Sequence, residues 1–130
     1  MLFRSISTFV ALSDGGFIPS LKAARRAERR LRIAQRALAR TQRGAGGRRK
    51  ARTALARCHA AVGRQRREHL HQASARLVRD YDVIAVEKLN VKGLARSALA
   101  KDVHDASWAT FISMLRYRSE ERRVGKECRL

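Results

Sequence analysis

Two long stretches rich in alanine and arginine, Leu21 to about Arg43 and about Arg48 to Arg79, flank the cluster Gly44-Ala45-Gly46-Gly47. Alanine and arginine are strong helix formers, and glycine is among the weakest. Each stretch carries its own apolar stripe. Ala24, Ala27, Leu31, Ala34 and Leu38 recur at spacings of three and four, the mark of one buried helix face. Ala51, Leu55, Cys58 and Val62 do the same in the second stretch, and Leu70, Ala73 and Leu77 resume the pattern after Gly63 to Glu68 interrupt it. Two helices with one narrow stripe each, joined by a short glycine loop, fold back into an antiparallel hairpin. Its expected extent is residues 20–79, with Ser20 as the N-cap of its first helix.

The charge of this hairpin sets its partner. The chain of 130 residues has a net charge of +19. Nineteen Lys or Arg residues lie between Lys22 and Arg79 against only Glu28 and Glu68. A solvated helix face normally mixes signs and gains from ion pairs three or four residues apart. Here the acids are missing, so the basic side chains repel one another until a polyanion neutralises them. Nucleic acid is the first such partner and an anionic membrane surface the second. Arginine in preference to lysine suits bidentate contact with phosphate. The candidate contacts are Arg25, Arg29, Arg32, Arg36 and Arg40 on the first helix, with Arg48, Arg49, Lys50, Arg52, Arg64, Arg66 and Arg67 on the second. No apolar stretch is long enough to span a membrane, and no targeting signal is evident. A cytosolic protein is expected.

The remaining segments describe a small sheet and a third helix. Ile6 to Leu12 mixes β-formers with partial alternation, Ser13-Asp14-Gly15-Gly16 is a turn, and Phe17-Ile18 resumes the apolar pattern before Pro19 stops it. That order reads as a β-hairpin. Val83-Ile84-Ala85-Val86 runs straight into Glu87-Lys88-Leu89-Asn90. A continuous apolar run suits a strand covered on both faces. Glu87 then stands at its carboxyl end, where it either meets solvent or joins a ligand site, as such groups do in open α/β sheets. Val91 to Asp102 reads as a basic loop. Asp105 or Ser107 caps a last helix whose Trp108, Phe111, Ile112 and Leu115 share one face, expected to pack on the sheet. His59, His69, His71 and His104 do not fall at metal-ligand spacings, and two cysteines make no zinc pattern.

Taken in order, these pieces resemble the TnpB/OrfB family of transposon-encoded proteins. The stretches that carry the resemblance are Ser7 to Gly15, Arg30 to Lys50 with its glycine break, Gln65 to His71 followed by Leu77-Val78, Tyr81 to Val91, Asp105 to Trp108, Phe111, and Leu115 to Tyr117. Members of that family are RNA-guided DNA nucleases with a RuvC-like domain. The resemblance implies an α/β fold: a partial RNase-H-like (RuvC-like) sheet with an inserted antiparallel basic helical hairpin, over residues 6–117. It also implies DNA and a guide RNA as partners, no membrane, and Mg²⁺ as cofactor. Glu87 matches the family's second catalytic carboxylate and is the candidate Mg²⁺ ligand. Two-metal hydrolysis needs ions about 3.5–4 Å apart and several carboxylates to hold them. The family's first aspartate would precede Ile6, where Phe3-Arg4-Ser5 stands. Its later aspartate and zinc-ribbon cysteines would follow Tyr117 and are not in the sequence, so no zinc is expected.

Both ends carry a separate pattern. Met1 to Ser5 and Arg118 to Cys128 read as translations of a common sequencing adapter in its two orientations. The expected natural part is therefore an internal fragment, about Ile6 to Tyr117. The function expected is that of a fragment of a transposon-encoded RNA-guided DNA endonuclease acting in transposition or recombination, with nucleic-acid binding kept and cleavage lost. The alternatives are a non-catalytic basic binding module and a reading frame that does not fold.

Overall fold

The computed structural model describes residues 8–86 and 107–127, with side chains over 8–86 and 107–122. Two strands and three helices follow one another: β1 (Thr8–Ala11), β2 (Phe17–Pro19), α1 (Ala23–Ala39), α2 (Gly46–Asp80) and α3 (Trp108–Glu127). The chain divides into two compact units. Residues 22–67 form one, and residues 1–21 with 68–130 form the other. Helix α2 contributes to both. The break in its apolar stripe, Gly63 to Glu68, falls at the division, so Leu70, Ala73 and Leu77 serve a different core from Leu55 and Val62.

In the second of these units, β1 and β2 pair antiparallel around a turn from Leu12 to Gly16. Leu12 N–H donates to the Gly16 carbonyl at 2.8 Å. Gly15 takes a φ of 88°, a conformation that glycine adopts without the clash a Cβ would bring. Asp14 accepts the Gly16 N–H at 2.9 Å on one carboxylate oxygen and the Tyr81 hydroxyl on the other. The Tyr81 bond, then the Gly16 bond, holds the Asp14 carboxyl below its usual range. The turn is thus tied to the residue that follows α2.

The ladder slips by one residue between Thr8 and Val10, so that Thr8 faces Pro19 and Val10 faces Ile18. A regular strand would send Phe9 and Val10 to opposite faces. The bulge allows both to be buried, at 2% and 4% exposure. Beside the bulge, the indole N–H of Trp108 donates to the Phe9 carbonyl at 3.3 Å. Around this point Phe9, Val10 and Ile18 pack with Leu70, Ala73, Leu77 and Val78 of α2 and Phe111, Met114 and Leu115 of α3. The Phe9 and Phe111 rings meet edge to face with centroids 4.9 Å apart, a favoured aromatic geometry. Of the expected face of the last helix, Phe111 and Leu115 join this core and Trp108 packs against it, while Met114 takes the place expected of Ile112, which is half-buried outside the cluster.

His69 joins the same core. Its ring meets Phe9 edge to face at 5.5 Å, and it hydrogen-bonds to the Pro19 backbone. Proline offers only a carbonyl there, so the ring is the donor. Nε2 is buried without a partner among the described residues, which leaves Nδ1 to carry the proton. Burial lowers the His69 pKa below 6.5, and the Pro19 bond opposes this.

Three expectations are corrected. The N-cap of α1 is Lys22, not Ser20. Lys22 has φ 49° and ψ 41° and makes no side-chain cap bond, and its carbonyl accepts Arg26 N–H at 3.0 Å. The first helix ends at Ala39, not near Arg43. The strand expected over Val83 to Asn90 is not formed in its described part, Val83 to Val86. Among the described residues β1 pairs only with β2, and Val83 is 87% exposed while Ile84 packs on the core. The expected loop over Val91 to Asp102, the capping Asp105 and Glu87 itself lie outside the described residues.

The bulge makes Trp108 a stability determinant. Trp108→Phe keeps a ring but strands the Phe9 carbonyl, and the urea midpoint followed by circular dichroism should fall by an equivalent of about 1–3 kcal/mol. His69 gives a pH signature. Its folded-state pKa is depressed, so its contribution is complete above pH 6.5 and is lost as pH falls through the lowered folded value. Urea midpoints should drop on the acid side of that range, and His69→Gln, which retains a donor for Pro19, should remove this component.

Candidate nucleic-acid interface

Helix α1 and the first part of α2, Gly46 to Arg67, make up the basic unit by themselves. The loop between them is closed by side chains. Thr41 Oγ1 donates to the Leu38 carbonyl at 2.7 Å, and Gly44 adopts φ 86°. The guanidinium of Arg48 donates to the carbonyls of Leu38 at 3.4 Å and Thr41 at 3.0 Å. Helix C-termini leave such carbonyls without intrahelical partners, and a cation there also favours the helix dipole.

The predicted stripes are where the helices are covered. Ala24, Ala27, Leu31, Ala34 and Leu38 are half-buried, as are Ala51, Leu55 and Cys58, while Ala23 and Val62 are buried. Ala34 and Ala51, Leu31 and Leu55, Ala27 and Cys58, and Ala23 and Val62 lie at matched distances on either side of the turn. That matching is what a back-folded pair requires. The seam consists mostly of alanine, so it buries little area per turn.

At 100° per residue, the seam determines where the arginines go. Arg25, Arg29, Arg32, Arg36 and Arg40 lie on the side of α1 opposite its stripe, and all five are exposed. Arg49, Lys50, Arg64 and Arg67 lie opposite the stripe of α2 and are likewise exposed. Arg52 is exposed, and Arg48 and Arg66 are half-buried; these three fall beside the seam. The twelve predicted contacts thus divide into an α1 row, an α2 row and three seam-flanking residues. Arg26, Arg30, Arg43 and Arg57 are also exposed and were not among the predicted contacts, and of these Arg57 sits midway between Lys50 and Arg64 on the α2 row. Its spacing of seven from each was the signal that would have found it.

Neutralising groups are scarce on these rows. Arg32 bonds Glu28 at 3.2 Å, with both side chains largely exposed, a geometry that contributes little in water. Arg29, Arg36, Arg40, Arg49, Lys50, Arg57, Arg64 and Arg67 have no side-chain partner among the described residues. The first turn of α2 holds no acidic residue, yet Arg48, Arg49 and Lys50 crowd the positive end of its dipole, where an anion is favoured. Among the described residues no three His, Cys, Asp or Glu side chains are placed to share a metal ion. Glu87, assigned to Mg²⁺ by the resemblance, lies outside them. The described residues of the helical unit thus present an exposed basic surface. No helix among the described residues is long and apolar enough to cross a membrane.

The OrfB family, described as probable transposase, matches residues 4–98. A Streptomyces pristinaespiralis protein named as an RNA-guided DNA endonuclease is 40% identical over 114 residues. The match takes in 87% of this chain and 28% of that protein.

Arg48 and Arg57 should separate structure from binding. Arg48→Ala removes the bonds that close the loop and should destabilise the helical unit by about 1 kcal/mol, read as faster amide exchange at the end of α1. Arg57→Ala should change stability by less than about 0.5 kcal/mol. It should weaken nucleic-acid binding and reduce the salt slope by about one.

Proposed function

The chain belongs to the OrfB family of probable transposases, and from that premise we propose that it is the nucleic-acid-gripping part of a transposon-encoded, RNA-guided DNA endonuclease. The observation that carries the reading is the exposure of two arginine rows with almost no acid beside them. Nothing in the basic unit reads bases: the rows are guanidinium groups suited to phosphate oxygens, which position a nucleic acid without specifying its sequence. Sequence choice in such a system belongs to the guide RNA, paired with its DNA target in the cytoplasm.

The second unit is the remnant of an RNase-H-like (RuvC-like) sheet in this reading, with β1 and β2 as its described strands. Glu87 is the carboxylate this chain offers to Mg²⁺. The family resemblance calls for three such carboxylates, so the 130-residue chain alone binds nucleic acid and does not cut it. The alanine-rich seam fits that division of labour, because it holds the arginine rows in place without contributing any catalytic group of its own.

Fluorescence anisotropy with labelled DNA and RNA across a salt series tests this. Counterion release predicts a log–log slope of about −0.9 per phosphate contact on duplex DNA, and about −0.7 on single strands. With six or more contacts, affinity should fall by roughly a thousandfold or more between about 50 and 200 mM salt. Glu87→Gln should leave affinity unchanged. Absence of binding at low salt, or binding indifferent to salt, would sink the proposal. Mg²⁺-dependent cleavage abolished by Glu87→Gln would refute the claim of binding without cutting.

A further inference from the structure

The two arginine rows do not face the same way. In each helix the row lies opposite the apolar stripe, and the stripes face each other across the seam. The α1 row (Arg25, Arg29, Arg32, Arg36, Arg40) and the α2 row (Arg49, Lys50, Arg57, Arg64, Arg67) are therefore on opposite outer sides of the hairpin. Packed helices lie about 8–10 Å apart, and each is about 10–12 Å across with its side chains. The two rows are then about 20 Å apart with both helices between them. A single phosphate backbone lying along one row cannot reach the other.

We infer that the hairpin is a two-sided clamp that holds two separate nucleic-acid segments at once, one along each row. This rests on the binding function proposed above and adds its valency. Three features support it. Each row is long enough for a substantial contact: the 17 residues of α1 extend about 25 Å at 1.5 Å per residue, which matches about seven base pairs of duplex at 3.4 Å each. Each row contains unpaired cations of its own, Arg29, Arg36 and Arg40 on α1 and Arg57, Arg64 and Arg67 on α2, with no side-chain partner among the described residues. The seam is thin and apolar, so neither row is screened by acids on the other. Two phosphate backbones bound on opposite sides repel one another only weakly, since about 20 Å exceeds the Debye length of about 8 Å at physiological salt.

A sandwich assay reads this directly. Duplexes of about ten base pairs are far below the DNA persistence length of about 150 base pairs and cannot wrap from one side to the other. One such duplex is immobilised, the chain is added, and capture of a second, dye-labelled duplex is measured, with stoichiometry from titration in solution. The native chain should capture the second duplex and bind two per chain. The triple variant Arg29→Gln, Arg36→Gln, Arg40→Gln and the triple variant Arg57→Gln, Arg64→Gln, Arg67→Gln should each bind one duplex and lose capture of the second by at least about tenfold. Glutamine keeps nearly the helix propensity of arginine, and the far-UV circular dichroism of both variants should match the native chain. The corresponding Arg→Lys triples keep the charge and should retain capture.

One duplex per native chain, with binding intact, overturns the clamp while leaving the proposed function standing. Capture retained by both single-row glutamine variants also overturns it, because chains that associate with each other would bridge through whichever row remains. No binding of any duplex or RNA by the native chain removes the proposed function and the clamp together.

Discussion

Unneutralised positive charge is the constraint to which the rest of the helical unit answers. Between Lys22 and Arg79 the chain has only Glu28 and Glu68 to set against nineteen basic residues. Two helices with that composition can pack only if most guanidinium groups are directed outward and the contact between them is left to small apolar groups. Alanine at Ala27, Ala34 and Ala51, with Leu31 and Leu55 between, provides such a contact. Burial of a narrow alanine seam stabilises less than a leucine-rich one, at about 25 cal/mol per Å² of apolar area. Repulsion within the rows subtracts further. A polyanion that bound only the folded hairpin would remove the repulsion and add stability that grows with the logarithm of its concentration over its dissociation constant. Stability and function are thus coupled through one electrostatic term.

The other unit solves a different problem, how to build a core from a two-stranded sheet. Two strands alone are marginal in water. The bulge at Phe9 and Val10 lets a four-residue strand bury two consecutive large side chains. Helices α2 and α3 then cover them, with Leu77 at 1% exposure and Phe111 at 3%. The Phe9 carbonyl beside the bulge accepts the Trp108 indole N–H. Asp14 and Tyr81 tie the turn to the end of α2, and the Arg122 guanidinium binds the carbonyls of Val78 and Tyr81 and the Asp82 carboxylate. The chain leaving α2 is therefore anchored at Tyr81 and Asp82 before Val83 emerges into solvent.

Helices were the most legible part of the sequence, since periodicity and propensity are local and both were strong. The stripe positions of α1 and α2, the glycine break and the aromatic face of α3 were all readable for that reason. The β-hairpin was readable from its turn residues, but its bulge was not, because a register slip depends on what covers the strand. Val83 to Val86 shows the limit from the other side: β-branched residues fit a strand, yet a strand exists only where a neighbour supplies hydrogen bonds. Arg48 was read as a phosphate contact, and the folded loop employs it on the carbonyls of Leu38 and Thr41.

What the sequence by itself determined is the sign of the partner and the two helical stripes, because net charge and a 3.6-residue period are properties of the chain before it folds. It also carried the ordered motifs of the OrfB family. Only the tertiary structure decided that the stripe of α2 serves two cores, with Leu55 and Val62 in one and Leu70 and Leu77 in the other. Only it separated the basic residues into two outward rows and a seam-flanking set. The physical reason is that the direction a side chain faces is fixed by what its helix packs against, and packing partners are distant in sequence.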